Sequence, residues 1–136
     1  MTQMTRQRLP EWFRRSLPLT AETTHEILSK HKLNTVCESA LCPNRTECYS
    51  RNTATFMILG NTCTRRCGFC AIETGKPELV MEDEPQRVAD AAYEFGLRYV
   101  VITSVARDEM KDEGAGHSPE RFWPLKKKFP ELRLRF

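Results

Sequence analysis

The chain has 136 residues, about the length of one domain, and its 40% hydrophobic and 29% charged residues are ordinary for a globular protein. Its 21 basic and 18 acidic residues give a net charge of +3, which is too balanced to predict a nucleic-acid partner. No run approaches the ~18 apolar residues of a membrane span, and the N-terminus lacks the apolar stretch of a secretory signal, so we expect a cytoplasmic protein with no membrane partner.

The first part of the chain gives weak signals of regular structure. Residues 1–19 hold two prolines and the pair Trp12-Phe13, and they are predicted to form an extended docking arm. A short helix is predicted over residues 21–31, with Thr20 in the N-cap position. Residues 36–54 hold three cysteines, and we predict an irregular loop there that a metal, not an apolar core, keeps in order.

Regular structure is predicted from residue 54 onwards. The apolar run 54–59 predicts a buried strand. Acidic residues and a proline at 82–85 suit a helix start, Gly96 suits its end, and the apolar residues between them follow helical spacing (Val88, Ala91, Ala92 and Phe95). The apolar run 99–103 predicts a second strand, buried on both faces. Strand, helix and strand form a βαβ unit, so we expect a parallel sheet whose active edge lies at the carboxyl ends of its strands.

Two loops should meet at that edge, one holding residues 63–70 and the other residues 104–117. Farther along, residues 118–120 suit a helix opening, but Pro124 should break that helix. Leucines and arginines alternate over residues 132–135, which predicts a half-exposed strand. A closed barrel of parallel strands needs ~250 residues, so we expect at most three of its strands here.

The six cysteines form two groups of three, and in a reducing cytosol metal binding explains them better than disulfides do. The first group is spaced C-x4-C-x5-C and the second C-x3-C-x2-C; the members are Cys37, Cys42 and Cys48, then Cys63, Cys67 and Cys70. Structural zinc sites favour paired C-x2-C knuckles, whereas this chain has one such spacing and its three histidines show no ligand spacing. Two iron-sulfur clusters are therefore favoured over zinc or plain buried thiols.

The second group suggests a specific chemistry. Three close thiolates can hold three irons of a [4Fe-4S] cube and leave the fourth iron open. Bound to the amino and carboxylate groups of S-adenosylmethionine, an open iron can pass an electron into the sulfonium and release a 5′-deoxyadenosyl radical. Phe69, just before the last cysteine, is placed either to lie against the adenine or to serve as a core aromatic. Arg65, Arg66 and Gly68 either tune the cluster or shape the loop.

These motifs resemble the radical S-adenosylmethionine enzymes, in which C-x3-C-x2-C is followed by βα units. Within that superfamily the chain resembles lipoyl synthase over about residues 10–117, and the paired triplets at these spacings are highly specific. The matching strings are Thr35-Val36-Cys37-Glu38, Cys42-Pro43-Asn44, Glu47-Cys48, residues 54–60, Cys63-Thr64-Arg65, Thr74-Gly75-Lys76-Pro77, Asp83-Glu84-Pro85, residues 99–105 and Gly114-Ala115-Gly116-His117.

The resemblance implies a fold and a set of ligands. The fold would be α/β, the N-terminal part of a partial (β/α)6 TIM-like radical S-adenosylmethionine barrel preceded by an irregular cluster-binding segment. Residues 1–53 would be the arm and auxiliary-cluster segment, and residues 54–136 the first two to three βα units of a truncated barrel. One [4Fe-4S] cluster would cleave S-adenosylmethionine and an auxiliary [4Fe-4S] cluster would be consumed as sulfur donor; their ligands would be Cys63, Cys67 and Cys70, and Cys37, Cys42 and Cys48, respectively.

The resemblance also implies a reaction and partners. The enzyme would be a sulfurtransferase that inserts sulfur at C6 and C8 of an octanoyl group held in amide linkage on a carrier protein, which gives the lipoyl group. The carrier would be the lipoyl domain of a 2-oxoacid dehydrogenase E2 subunit or the glycine-cleavage H protein. An external donor such as flavodoxin or ferredoxin would supply electrons.

Three features depart from the family. Full-length members continue for roughly as long again and complete the auxiliary cluster with a serine near the C-terminus, a role that no residue here can be assigned. Ala106 stands where the family usually has Asp. Residues 118–125 do not resemble the family's second helix although residues 126–134 do, a pattern that a short out-of-frame stretch would give. We therefore expect the chain alone to be marginally stable and catalytically weak.

Two alternatives stay open. Biotin synthase, another sulfur-inserting radical enzyme, has the second kind of triplet, but the upstream cysteines argue against it. A truncated, inactive fragment that holds zinc or one iron-sulfur cluster is the other, and the content of iron, sulfide and zinc separates the alternatives.

Overall fold

A computed structural model describes Pro10, residues 21–117, Phe122, Lys127 and residues 130–135. The fold of this part is mixed α/β. Its elements in chain order are α1 (Ala21–Lys30), β1 (Asn34–Thr35), α2 (Val36–Ser39), α3 (Arg45–Ser50), β2 (Thr53–Ile58), β3 (Thr62–Cys63), β4 (Glu73–Thr74), α4 (Glu84–Glu94), β5 (Tyr99–Ser104), a 3-10 turn (Ala115–His117) and β6 (Arg133–Arg135).

The main sheet has the strand order β1-β2-β5-β6. β2 and β5 are parallel and in register from Thr53 opposite Tyr99 to Ile58 opposite Ser104. β6 is parallel to β5, whereas β1 runs antiparallel to β2, so the sheet is mixed. The predicted parallel βαβ unit is confirmed, and the loops that follow β2 and β5 begin level with each other at one edge of the sheet.

The burial of β5 differs from the sequence expectation. Val100 and Ile102 are buried, whereas Tyr99 and Val101 on the other face are half-buried, and Thr103 is exposed. The prediction of burial on both faces is therefore wrong for the part of the chain that is described. A run of β-branched residues suits a fully buried strand, but it also suits a strand whose second face is only partly covered.

Helix α4 forms as its sequence predicts. Pro85 lies in its first turn, where the missing N–H costs nothing, and Asp83 occupies the N-cap position. The side of the helix that carries Val88, Ala91 and Ala92 is buried in the core. Gly96 follows the helix with φ of +61°, a conformation that glycine adopts without strain, and it ends the helix as expected.

The segment between α1 and β2 is more regular than predicted. It folds into α2 and α3, and the Thr35 hydroxyl caps α2 by accepting the Glu38 N–H at 3.2 Å. Thr35 and Tyr49 are buried and their hydroxyl oxygens lie 3.0 Å apart, and the ring of Tyr49 lies 6.3 Å from that of Phe95. The predicted irregular loop is wrong, because the segment is helical in α2 and α3 and buries Tyr49 in the core. That a metal orders the segment stays a prediction. Helices of four and six residues are too short to give a periodic signal.

The ends of the chain are only partly described. α1 confirms the predicted helix, while the docking arm, Thr20, residues 118–120 and Pro124 lie outside the described residues. In β6, Leu134 is half-buried between exposed arginines and the preceding Leu132 is buried, which confirms the half-exposed strand. No helix within the described residues is long and apolar enough to cross a membrane.

Replacing either of two phenylalanines should have very different effects on the stability of the fold. Phe56 on β2 is fully buried, whereas Phe69 in the second cysteine loop is 95% exposed. We expect Phe56→Ala to lower the free energy of unfolding by about 3–5 kcal/mol through lost burial and a residual cavity. Phe69→Ala is the control and should change it by less than about 0.5 kcal/mol. Denaturant unfolding followed by circular dichroism measures both, and equal losses would contradict this core assignment.

Candidate metal centre

The second cysteine triplet follows β2 directly. β3 and β4 pair in parallel, with Cys63 opposite Thr74, and they bring together the two ends of the loop that carries Cys67 and Cys70. The Gly75 N–H donates to the Cys63 carbonyl at 3.1 Å and closes the base of the loop. The loop is therefore anchored at its base, and its tip projects from the carboxyl edge of the sheet.

The three thiols of this triplet lie in different environments. Cys63 is half-buried, and its Sγ accepts the N–H groups of Arg65 and Ala106, each at 3.4 Å. Hydrogen bonds of this kind to a ligating sulfur are among the factors that set the potential of an iron-sulfur cluster. Cys67 and Cys70 are exposed.

Phe69 lies at the exposed tip of the same loop. Its 95% exposure rules out the core-aromatic interpretation. Its contact with adenine stays a prediction. All six cysteines are free thiols that are half-buried or exposed, so the explanation as plain buried thiols is also wrong.

The loop after β5 binds the two residues that follow Cys63, Thr64 and Arg65, through hydrogen bonds and an ion pair. The Thr64 N–H donates to the Ala106 carbonyl at 3.2 Å, and the Asp108 N–H donates to the Thr64 hydroxyl at 3.2 Å. Arg65 forms a bidentate ion pair with the Asp108 carboxylate, with Nε 2.9 Å from each oxygen. Hydrogen bonds from Arg65 and then Thr64 lower the pKa of Asp108 to about 2, and the carboxylate raises the pKa of Arg65.

Two buried charged residues, Arg107 and Glu84, support the end of β2. The sequence assigned no role to Arg107 and placed Glu84 only in a helix start. Arg107 donates from Nη1 to the Leu59 carbonyl at 2.6 Å and from Nη2 to the Glu78 carbonyl at 2.8 Å. Glu84 accepts the Leu59 N–H at 3.0 Å, and burial raises the pKa of its carboxyl group. The sequence offers no signal for this, because Arg107 stands among charged neighbours that all resemble a solvated loop.

The first triplet lies along α2, α3 and the turn between them. Cys37 lies in α2 and Cys48 in α3, and between them the Cys42 N–H donates to the Cys37 carbonyl at 3.1 Å. All three thiols are half-buried. Burial raises the pKa of Cys48, and the nearby thiols of Cys37 and Cys42 raise it further. The three thiols thus lie in one short, largely helical segment, although they are not close enough together to hold one metal ion.

The two triplets share one core. Cys37 and Cys63 both pack against the central apolar cluster. A cavity of about 370 Å³ has Glu38, next to Cys37, in one wall and Gly60 and Asn61, just before the second triplet, in another. A second cavity of about 280 Å³ lies between Arg65 and the loop after β5.

The donor set suits iron-sulfur clusters, although the thiols are not in ligating positions. Among the described residues, no three Cys, His, Asp or Glu side chains are close enough to hold one metal ion. The thiol-only composition and the N–H groups on the Cys63 sulfur both fit thiolate ligation. We conclude that the residues fit such a group, and that the thiols of each triplet would have to move closer together to ligate it.

Comparison with known proteins identifies close relatives. A protein named lipoyl synthase from Buchnera aphidicola subsp. Baizongia pistaciae is 53% identical over 111 residues, which are 79% of this chain and 35% of the relative. Lipoyl synthase from Caldanaerobacter subterraneus subsp. tengcongensis is 52% identical over 121 residues, 88% of this chain and 43% of the relative. Lipoyl synthase from Rhodopirellula baltica is 52% identical over 113 residues, which are 81% of this chain and 36% of the relative. A scan against models of protein families finds no match.

The fold and the site define an α/β protein with two cysteine-rich segments, one of them at the carboxyl edge of a parallel strand pair. The comparisons narrow this class. Over most of its length the chain is similar to the N-terminal portion of proteins named lipoyl synthase. It spans between 35% and 43% of the length of these three relatives.

The ion pair with Arg65 should make the carboxyl group of Asp108 unusually acidic. In the cluster-free chain, Asp108 should titrate at about pH 2, and Arg65→Gln should raise that pKa towards the ordinary value of about 3.9. Since the folded pKa lies below the unfolded one, the pair stabilises the fold above pH ~4, and this stabilisation is lost as the pH falls towards 2.

Carboxyl chemical shifts in an NMR titration measure this pKa. Asp112 is the control, because the N–H groups of Gly116 and Gly114, not Arg65, lower its pKa, and Arg65→Gln should leave it unchanged. An ordinary pKa for Asp108 in the unmodified chain would contradict the ion pair.

Proposed function

We propose that this chain carries the cluster-binding portion of a lipoyl synthase, which inserts two sulfur atoms at C6 and C8 of a protein-bound octanoyl group. Relatives of that name at 52–53% identity over most of the chain support the proposal. The observation that carries it is the conjunction of this identity with two separate sets of three free thiols. The activity belongs to the whole family protein, of which this chain spans less than half.

The two triplets take different roles in the proposal. Cys63, Cys67 and Cys70 hold the [4Fe-4S] cluster that binds S-adenosylmethionine, with Phe69 against the adenine. The auxiliary [4Fe-4S] cluster that donates sulfur is held by Cys37, Cys42 and Cys48. When bound, the first cluster and S-adenosylmethionine supply a radical able to remove hydrogen from unactivated carbon.

The chain's own residues bind and orient these groups. Cys63 is already fixed by two N–H donors, while the loop tip that carries Cys67, Phe69 and Cys70 is exposed and free to close. The cavity between Arg65 and the loop after β5 adjoins the first ligand and offers a polar wall beside the cluster site. Residues 1–53 form the arm and auxiliary-cluster segment in this proposal, and residues 54–136 begin the radical S-adenosylmethionine barrel.

The mixed sheet is compatible with that barrel. Its parallel strands β2, β5 and β6 lie in sequential order, as the opening strands of a (β/α)6 barrel do, and β1 covers the outer side of β2. The site would lie at the carboxyl ends of these strands, where loops of successive βα units converge. The partners in the proposal are an octanoylated carrier, either a 2-oxoacid dehydrogenase E2 lipoyl domain or the glycine-cleavage H protein, and flavodoxin or ferredoxin, in the cytoplasm.

Iron and sulfide content tests the cluster assignment. After anaerobic reconstitution, the chain should hold about eight irons and about eight sulfides, the content of two [4Fe-4S] clusters. Replacing the three cysteines of either triplet by alanine should halve both counts, because each triplet serves one cluster. Metal analysis of the two triple variants measures this. About four irons in the unmodified chain would mean one cluster, and zinc without sulfide would reject the radical chemistry.

Because the chain alone is expected to have weak activity, its part in lipoyl formation is tested in a chimera. Residues 21–117 replace the aligned part of the full-length Caldanaerobacter relative, and lipoyl formation on an octanoylated carrier is measured by mass spectrometry. We expect lipoyl formation by the chimera, because the chain supplies both thiol triplets in a matching sequence context.

Two variants of the chimera serve as comparisons. Cys63→Ala should abolish lipoyl formation, and Phe69→Leu should weaken the binding of S-adenosylmethionine if that ring lies against the adenine. A chimera that is folded and fully loaded with iron but forms no lipoyl group, beside an active parent, would overturn the proposed function.

A further inference from the structure

We propose that Asp108 is a positioning residue that holds Cys63 as the preset ligand of the second triplet, acting through Thr64 and Arg65. The inference rests on the proposed function, because it takes this triplet to be a cluster site. It adds the loop after β5 to that site, and it assigns the three thiols unequal parts in capturing the cluster.

Asp108 contacts both residues that follow Cys63. Its carboxylate binds the Arg65 guanidinium in a bidentate arrangement and lies within hydrogen-bond distance of the Thr64 hydroxyl. Its backbone N–H donates to that same hydroxyl at 3.2 Å. Two residues earlier, the Ala106 carbonyl accepts the Thr64 N–H at 3.2 Å. The chain is therefore fixed through side chains and backbone together for two residues after Cys63.

This arrangement places two donors on the Cys63 sulfur. One is the N–H of Arg65, whose side chain Asp108 holds, and the other is the N–H of Ala106, at the start of the segment that carries Asp108. Both donors are backbone N–H groups, so these two hydrogen bonds do not depend on the side chain at position 106, where this chain has Ala in place of the usual Asp. The Cys63 sulfur is thus set by the very segment that Asp108 secures, 43 to 45 residues farther along the chain.

The other two thiols have no comparable position. Cys67 and Cys70 are exposed, and a turn with the Cys70 N–H on the Cys67 carbonyl at 3.1 Å joins them. The geometry assigns Cys63 as the fixed point on which a cluster is first held, while Cys67 and Cys70 close onto it.

The ion pair is partly exposed, and isolated pairs of this kind contribute little to stability. The Arg65–Asp108 pair differs from such isolated pairs in two ways. It is bidentate, and its carboxylate also accepts a hydrogen bond from the Thr64 hydroxyl, so it belongs to a small network. Its removal should therefore change the local order at Cys63 more than the stability of the whole fold.

Alkylation of the cluster-free, reduced chain tests the inference without any enzyme activity. Iodoacetamide is the probe, and mass spectrometry gives the rate at each cysteine under anaerobic conditions. Cys63 should react more slowly than Cys67 and Cys70. Asp108→Asn should speed Cys63 roughly five- to tenfold, the factor that corresponds to losing about one hydrogen bond, and should leave Cys67 and Cys70 unchanged.

Three further variants separate positioning from general loosening. Glu94→Gln is the matched control, because that carboxylate is 36% exposed, close to the 39% of Asp108, and pairs with Lys30 at the end of α1 and with His31 just after it. It should leave the Cys63 rate unchanged. Asp108→Glu keeps the carboxylate and should retain slow alkylation. Arg65→Gln should speed Cys63 as Asp108→Asn does, and it serves as the second variant if Asp108→Asn fails to fold.

Cobalt(II) gives a spectroscopic readout of the same effect. Titration of the cluster-free chain with this ion alone should produce thiolate charge-transfer absorption at lower cobalt concentration in Asp108→Glu than in Asp108→Asn. An unchanged Cys63 rate in both Asp108→Asn and Arg65→Gln, or an equal increase at all six cysteines, would overturn the inference. Neither result depends on lipoyl formation, so a failure here and a failure of the proposed function are distinguishable.

Discussion

The backbone of Leu59 is the point on which the candidate site depends. Its N–H donates to the buried Glu84 carboxylate of α4, and its carbonyl accepts from the buried Arg107 of the loop after β5. Its φ of +68° turns the chain sharply out of β2, at a cost of roughly 1–2 kcal/mol for a residue with a Cβ. Two charge-assisted hydrogen bonds to the backbone of this one residue, one on each adjoining peptide unit, offset that cost. The direction in which the second cysteine triplet leaves the sheet follows from this turn.

The same residue explains why the loop after β5 needs a glycine. A Cβ on Gly114, which has φ of +87°, would lie 2.5 Å from the Leu59 Cδ1 atom. The Gly-Ala-Gly sequence that looks merely flexible is therefore a close packing contact against the end of β2. The Leu59 backbone hydrogen-bonds both α4 and the loop after β5, and its side chain packs at Gly114 of that loop, so the region next to the exposed cysteine loop is closely packed.

The sequence predicts the parts of this structure that depend on periodicity and composition. α4, β2 and β5 are confirmed, since each rests on an apolar pattern long enough to be distinctive, and their order predicts the parallel pairing, which is also confirmed. α1 is confirmed as well, although its apolar pattern is weak. α2 and α3 could not be predicted, because their order comes from the buried contact of Thr35 with Tyr49 between distant positions. The partial exposure of β5 depends on which elements cover its second face, and the sequence of the strand itself does not predict those elements.

The candidate site divides in the same way. Cysteine spacing identifies all six thiols, but it treats the members of each triplet as equivalent, whereas the structure distinguishes a held Cys63 from exposed Cys67 and Cys70. Arg107, Glu84 and Asp108 could not be found from spacing, since their partners lie 25 to 48 residues away. The thiol ligands are local in sequence, and the groups that position them are not.

Strand register connects these distant groups. Phe56 lies opposite Ile102 in the core, and two residues farther along Ile58 lies opposite Ser104, where both loops begin. A slip of one residue in β5 would turn the buried Val100 and Ile102 out of the core and turn the half-buried Val101 and exposed Thr103 into it, so the packing of Ile102 against β2 specifies the register. The register in turn sets Ala106 level with Cys63 and allows its N–H to reach the sulfur. Apolar packing about two residues below the edge of the sheet thus determines the distance between a candidate ligand and its hydrogen-bond donor, and the chemistry of the site depends on the order of the core.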